Sequence, residues 1–578
     1  QRKAKVRKLL AVDGPPREAW EASWSARIMR SLTGAPAISP NATNKVKLLL
    51  VVLAGVLTCV ELLRRGSIPA VAWALVGVTA VLAYLNFGAY RYPEFVHDHD
   101  VFHYFVGAKY FPELGYRDLY ACAAVAEAES GFPQRVRLRA QRDLTTNRIE
   151  PGEHALAQGA GCPKRFGARR WDDFRHDVAY FANGRTVLDW HLMLKDHGFN
   201  ATPTWIAVAH LMAEHLQANE RTIGHRNAAF GGIVGALDPL LLLAAAAAAV
   251  WAFGIRTASL VALAFACNPF SEFSWVGGGF LREAWLSALV IGLCLLKKER
   301  FLLGGFCLAL AALLQLLPFP TLVLPLLAGA LSAGGSVRAA GQSTRFVWPT
   351  SPRAWLRGMA AQRALWRLLG GAAFGLSLLI LSSPRLTGAA SGARVWSAFA
   401  SNTAKHEATP SGNLMGLGML LAFRPSTTVD VLVDTEATDP YARTRAAQSA
   451  TRTRMRPVQA LIIAAALGLL VYALRRPHAL WWVSALGLGL VPLGLDASCY
   501  YSAWLCAFAL IGHQREGLFL PVLAALAALL VVKLGVTQVA VQTASGSAIF
   551  VLAVFAVLLL IARGERRATN AASTFGVG

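Results

Sequence analysis

The stretch Phe230-Gly-Gly-Ile-Val-Gly-Ala-Leu-Asp238-Pro-Leu-Leu-Leu-Leu-Ala-Ala-Ala-Ala-Ala-Ala-Val-Trp-Ala-Phe253 decides the class of this chain. Asp238 is its only charge in 24 residues. A helix rising about 1.5 Å per residue would carry it across the roughly 30 Å hydrocarbon core of a bilayer. Outward from it, a window of about 19 residues gives further candidate spans at Leu48–Leu63, Ile68–Phe87, Thr257–Phe270, Phe280–Leu296, Phe301–Leu317 and Phe319–Leu331. Others follow at Leu368–Leu381, Val458–Leu474, Ala479–Leu495, Tyr500–Ile511, Leu518–Leu534 and Ala548–Ala562, which makes thirteen. Several are short for the core thickness, which implies tilt or extension by flanking residues. The expected fold is an all-α polytopic membrane protein, a helical bundle of about 13 segments with a large outer loop domain.

Composition excludes the alternatives. Of 578 residues, 55% are apolar and 15% charged, where a soluble domain carries about a quarter charged. Fifty-six Lys and Arg against 33 Asp and Glu give a net charge of +23. In a membrane chain that excess reads as cytoplasmic loops touching anionic headgroups, and no nucleic-acid partner is expected. The 8 cysteines form neither a dense scaffold nor a CxxC motif. Six lie in or beside apolar runs, where thiols behave as small hydrophobes. Cys122 and Cys162 share one long polar loop and are expected to be bonded, because that loop is assigned to the oxidising face and holds no other cysteine.

Basic residues in short loops set the orientation. Arg64-Arg65, Arg256, Lys297-Lys298, the stretch Arg338–Arg367, Arg475-Arg476, Arg515 and Arg563–Arg567 all mark cytoplasm. The resulting organisation is a basic N-terminal segment 1–47, two spans in 48–87, a large outer loop 88–229 and a central bundle 230–381 containing the basic loop 332–367. A second outer loop 382–457, a C-terminal bundle 458–562 and a cytoplasmic tail 563–578 complete it. The parity also places the basic segment 1–47 outside, so either a further crossing lies upstream or one of the first two spans does not cross. The start Gln1-Arg-Lys-Ala-Lys-Val-Arg-Lys8 lacks a following apolar region, so no cleavable signal peptide is expected. Trp171, Trp190 and Trp205 mark the loop 88–229 as folded, with Trp205–Leu216 expected on the membrane surface.

The densest polar cluster runs from Glu94 to Tyr120 and contains His97-Asp98-His99-Asp100 and His103-Tyr104. With Asp100 as N-cap, Tyr104 and Gly107-Ala108 follow at helical spacing and the carboxylate sits at the positive helix end. Such a carboxylate can accept a proton from a hydroxyl; equally, Asp98 and Asp100 can serve only as caps. His97, His99 and His103 with the two Asp also supply ligand types for Zn²⁺ or Mn²⁺. In an extended segment, however, the His and the Asp face opposite ways. The cofactor expectation is accordingly none, or a divalent Mg²⁺ or Mn²⁺ held through the Asp residues.

Arg282, in Gly277-Gly-Gly-Phe-Leu-Arg282-Glu283, falls at the outer end of its span and can meet a lipid phosphate or pair locally with Glu283. Lys405, His406 and Arg394 lie in the second outer loop and can face either phosphate or solvent. Asp238-Pro239 reads as a helix break.

Asp100, Tyr104, Gly107-Ala108 and Gly115-Tyr-Arg-Asp118-Leu-Tyr120, placed just past a span, resemble the first outer loop of the GT-C superfamily of membrane glycosyltransferases. The chain is most similar to the polyprenyl-phosphate-mannose-dependent α-mannosyltransferase-like family of bacteria. The run Gly304–Pro318 resembles that family's helix ending in Lys-x-x-Pro, with Gln315 where Lys is usual, and Thr409-Pro-Ser411-Gly-Asn413 resembles its Asn/Ser-containing outer loop. The resemblance implies transfer of a sugar from a polyprenyl-phosphate-sugar lipid to a lipid, glycan or protein hydroxyl on the outer face of the bacterial cytoplasmic membrane. It implies Asp100 as base, or Asp98 if the register is shifted. Arg282, Lys405, His406 and Arg394 would meet the donor phosphate, and His97, His103 and Tyr104 would position sugars. A transporter, or a non-catalytic subunit bound to membrane-protein partners, is the competing expectation.

Overall fold

The computed structural model describes residues 39–64, 66–91, 95–184, 187–219, 227–333, 351–388, 392, 394–409, 412–434, 437–475 and 477–574. Most of the segment 1–47, the centre of the loop 332–367 and the end of the tail lie outside the described residues. Helix accounts for 77% of the structure. Among the described residues, strands form two short antiparallel pairs, Ala140–Arg142 with Ile149–Pro151 and Leu414–Met415 with Ala497–Ser498. Among the described residues, six helices are long and apolar enough to cross a bilayer: Pro40–Arg64, Ala229–Ala266, Arg363–Leu386, Ala442–Ala473, Glu516–Gly535 and Val539–Gly564. Their outward faces carry exposed leucines such as Leu49, Leu243, Leu381 and Leu461, a pattern that suits lipid and not water. The chain is an all-α, multi-pass membrane protein.

Two expected spans, Phe230–Phe253 and Thr257–Phe270, fall within one helical element, Ala228–Ala266, broken at Gly254 with φ at 80°. A straight helix would separate Asp238 from Asn268 by about 45 Å. Instead Asp238 accepts the Arg282 amide, and Ser271, just beyond Asn268, donates to the carbonyl of Tyr500, whose ring lies under the same Arg282. The chain therefore doubles back at Gly254, where a residue without Cβ takes the left-handed turn at little cost.

Ion pairs mark the two ends of the bundle. At the Gly254 end, Arg256 meets Glu61 at 2.6 Å and Glu516 at 3.1 Å. At the other end, Arg282 meets Asp100. Asn44 bonds to Glu272, beside Ser271 at the Arg282 end, while Glu61 lies at the Arg256 end. The first helix thus runs the length of the bundle.

Three local expectations need correction. The segment Tyr500–Ile511 is no single helix but the 3₁₀ turn Cys499–Ala503, the helix Trp504–Ala509 and the 3₁₀ turn Leu510–His513. Its side chains from Ser502 to Ile511 are buried in protein, the condition under which irregular backbone survives at membrane depth. The Trp205–Leu216 stretch does not lie on the membrane surface. Its helix, Pro203–Ala213, buries Trp205, Ile206, Ala207 and Ala209, and Thr204 bonds to Ser383. Nor does Asp100 act as N-cap: the helix opens at Asp98 after His97, and Phe102–Val106 is π-helical.

The loop 88–229 is a folded unit. Glu127, Arg135 and Arg139 are all buried, and the carboxylate pairs with both guanidiniums and accepts from the Trp190 indole. Lys109 pairs with Asp177 at 2.6 Å. Cys122 and Cys162 are bonded as expected, with their Cα atoms 5.6 Å apart.

Closing 40 residues of sequence separation corresponds to about 4 kcal/mol of unfolded-state entropy in the chain-entropy model. The Cys122→Ser/Cys162→Ser variant should therefore unfold earlier than the parent in a denaturant titration of detergent-solubilised protein. Coincident midpoints would show that the bond contributes nothing.

Candidate functional site

A cavity of about 950 Å³ opens at the Arg282 end of the bundle, between the loop 88–229 and the segments around Thr409 and Tyr500. Its wall begins with the turn before Asp98. His97 donates its amide to the carbonyl of Gly278, and a Cβ on Gly278, whose φ is 70°, would sit 1.9 Å from the carbonyl oxygen of Phe95. A Cβ on Gly279 would sit 2.5 Å from Oδ2 of Asp100. The glycine run is what allows two backbones to meet here and the Phe280 amide to donate to Asp100 at 3.3 Å.

Arg282 reaches Asp100 Oδ1 with Nη1 at 2.5 Å and lies 4.3 Å over the Tyr500 ring. Its own backbone is fixed from the opposite side. Asp238 accepts the amides of Arg282 and Glu283 at 2.9 and 3.0 Å, so a carboxylate sits where the helix Ala284–Lys297 begins and satisfies donors that the helix leaves free. Asp238-Pro239 therefore does not break its helix, which runs on through both residues to Gly254. Asp238 serves instead as acceptor for a neighbouring segment, and Arg282 pairs with Asp100, which lies 182 positions away, rather than with its neighbour Glu283.

Tyr104 donates to Asn200 at 2.7 Å, and its ring stands edge-on to Trp205 and Phe199. Phe199 also covers Gly107, where a Cβ would lie 2.9 Å from the ring. On the adjoining wall, His99 Nε2 lies 3.2 Å from Asp196 Oδ2. His103 Nδ1 donates to the His99 carbonyl at 2.6 Å, so its Nε2 accepts from the Tyr120 hydroxyl at 2.5 Å.

Burial, with His99 close by, pushes the His103 ring down to about 4. Burial beside Arg142 does the same for His197, to about 4, and burial beside His197 takes His406 to about 3. Asp196 is held below the usual carboxylate range even though burial opposes it, by the His99 hydrogen bond and the neighbouring histidines. His103, His197 and His406 thus favour the neutral imidazole, and Asp196 favours the carboxylate.

The structure gathers most of the expected site. His97, Asp100, His103, Tyr104, Arg282 and His406 all line the cavity, as do Gln315 and Asn413. Asp98 is buried in the first turn of its helix and is not among the lining residues. Lys405 turns to the carbonyl of Leu144, and burial near Arg117 lowers its ammonium to about 8. Arg394 is exposed at the start of the helix Arg394–Glu407, outside the lining. The sequence reading did not include Asp196, His197, Glu272, Tyr500 or Tyr501, which also line it. The run Lys195-Asp-His-Gly-Phe-Asn200 carries a signal for two of these, a polar cluster closed by glycine.

Asp100 and Arg282 side chains are 4% and 15% exposed, so removing one partner strands a buried charge at about 3–5 kcal/mol. Arg282→Gln should lower thermal stability by an amount in that range, and adding Asp100→Asn should restore part of it. A double-mutant cycle with strictly additive losses would rule out the coupling.

No protein-family model matches the chain, and no curated protein or solved structure matches it.

Proposed function

We propose that this protein is a membrane glycosyltransferase of the GT-C type that moves a sugar from a polyprenyl-phosphate carrier to an acceptor hydroxyl at the outer face of a bacterial cytoplasmic membrane. The observation that carries the reading is a large cavity at one end of an apolar bundle in which a carboxylate, a guanidinium and tyrosines converge. Leu316 and Leu495, 48% and 44% exposed, line the same cavity, so an isoprenoid chain can approach from the lipid while a polar acceptor enters from water.

The chemistry follows from the pair. Arg282 and Asp100 neutralise one another. A donor phosphate competes for the guanidinium, which binds two phosphate oxygens as readily as a carboxylate. Asp100 is then released to take the acceptor proton. The acceptor oxygen forms its bond to the anomeric carbon as the bond from that carbon to the phosphate oxygen breaks. Polyprenyl phosphate leaves with the electron pair. Tyr104 and Tyr500 offer aromatic faces to the sugar, and Gln315 stands in the cavity where the related helix pattern carries Lys.

The same reading takes the bundle as about thirteen crossings. Support comes from side chains alternating between the two ends. Lys298 stacks over Trp251 at the Arg256 end, Gln315 lines the cavity, His513 meets Thr257 at the Arg256 end, and Lys533 meets Glu272 at the cavity end. Cysteines introduced at Ala157 and Ser351 should therefore differ in intact cells: the first labelled by an impermeant maleimide, the second only after permeabilisation. Equal labelling of both would reject the topology.

The purified protein, supplied with polyprenyl-phosphate hexoses and its co-purifying lipids identified by mass spectrometry, should transfer sugar. Asp100→Asn should lower the rate by about 10²–10⁴, the usual worth of a positioned base. Retained activity would remove Asp100 from the role. Absence of transfer by the parent with every such donor would favour a non-catalytic subunit.

A further inference from the structure

His99, His103 and Asp196 approach one another on the cavity wall from two separate segments. The two histidines stand one turn apart at the start of the helical run after His97, and Asp196 follows the helix Val187–Met193. One donor atom from each lies within 4.8 Å of the others. We propose that these three side chains bind a divalent transition-metal ion, with Zn²⁺ the best match to two imidazoles and a carboxylate.

The arrangement around His103 is that of a ligand already oriented. Its Nδ1–H is committed to the His99 carbonyl at 2.6 Å, which fixes the tautomer and leaves the Nε2 lone pair available, the outer-shell device typical of metal-bound histidine. The Tyr120 hydroxyl that now donates to Nε2 has other acceptors in reach, the carbonyls of Met193 at 3.1 Å and Asp196 at 3.2 Å. It can therefore surrender Nε2 without being stranded.

His99 and Asp196 supply the other half. Their facing atoms are 3.2 Å apart, close to the roughly 3.3 Å that separates two ligand atoms bound at about 2.0–2.1 Å around a tetrahedral ion. An ion replaces the shared proton there with little movement, and His103 Nε2 closes the remaining gap. His99 and Asp196 are 42% and 43% exposed to the cavity, so the ion has an entry path. Three protein ligands leave a position open to water or to an oxygen of whatever occupies the cavity, the pattern of reactive rather than structural zinc. Mg²⁺, which favours an all-oxygen octahedron, fits this donor set poorly. The extended alternation expected around His97–Asp100 would have split the ligands between two faces; the helical turn joins His99 to His103 instead.

The test uses the full chain, purified without a polyhistidine tag, stripped with chelator, loaded with Zn²⁺ and desalted. Elemental analysis should find about one zinc per chain, and the Co²⁺-loaded protein should show the visible absorption of a low-coordinate site. Asp196→Asn, nearly isosteric and half exposed, and His99→Ala should each weaken Zn²⁺ binding by at least about 100-fold, the upper range for losing a mere outer-shell partner. His406→Gln, on the same cavity but outside the triad, should keep its zinc. The assignment is overturned if the parent retains no zinc, if Asp196→Asn retains as much as the parent, or if His406→Gln loses as much as Asp196→Asn. None of these readouts depends on sugar transfer.

Discussion

Hydrocarbon offers no hydrogen bonds, so every polar group carried into the bundle must find its partner within the protein. Asp238 meets this constraint by accepting two backbone amides at the start of another helix. That contact fixes the turn that carries Arg282 just ahead of the helix Ala284–Lys297, and Arg282 in turn holds Asp100, whose helical run carries Tyr104 and His103 into the cavity wall. Had Asp238 been apolar, the amides of Arg282 and Glu283 would lack an acceptor and the guanidinium would lose its anchor. The cavity is therefore organised from beneath, by a residue that is not among those lining it.

Much of the membrane class was legible because hydrophobic length survives any tertiary context. Phe230–Phe253 could be nothing but a long buried or lipid-facing segment. The polar cluster at His97–Tyr104 was legible for the opposite reason, since charges beside a span need a purpose. What escaped the sequence were pairings across distance. Nothing near Arg282 indicates that its partner lies 182 positions away, and Glu283 next door was the obvious but incorrect choice. The triple glycine at Gly277–Gly279 was visible, yet its meaning depends on Phe95 and Asp100 arriving opposite it.

Local conformation also misled where the pattern was ambiguous. His97-Asp-His-Asp100 alternates like a strand and invites an extended reading, but the segment is helical, and its hydrogen bonds run into a π turn. Inserting one residue into a turn in this way re-aims the side chains beyond it and is common at functional sites. Trp205–Leu216 looked amphipathic enough for the lipid surface, yet in the helix Pro203–Ala213 the polar Thr204 and His210 bond inward, to Ser383 and to the carbonyl of Ala108. Which of its residues meet protein cannot be read from one helix alone.

The first described helix bears on how the chain is made. Near its start Lys47 is buried, and Asn44 bonds to Glu272, which also faces Lys533 on the helix Phe519–Gly535. During synthesis the ribosome releases the earlier element long before either partner exists. That helix must wait in the bilayer with a charged side chain uncompensated until Glu272 is inserted, and longer still for the helix that carries Lys533. Assembly thus brings a late helix back to the first described one, and a chain interrupted late leaves that helix without part of the contacts that hold it.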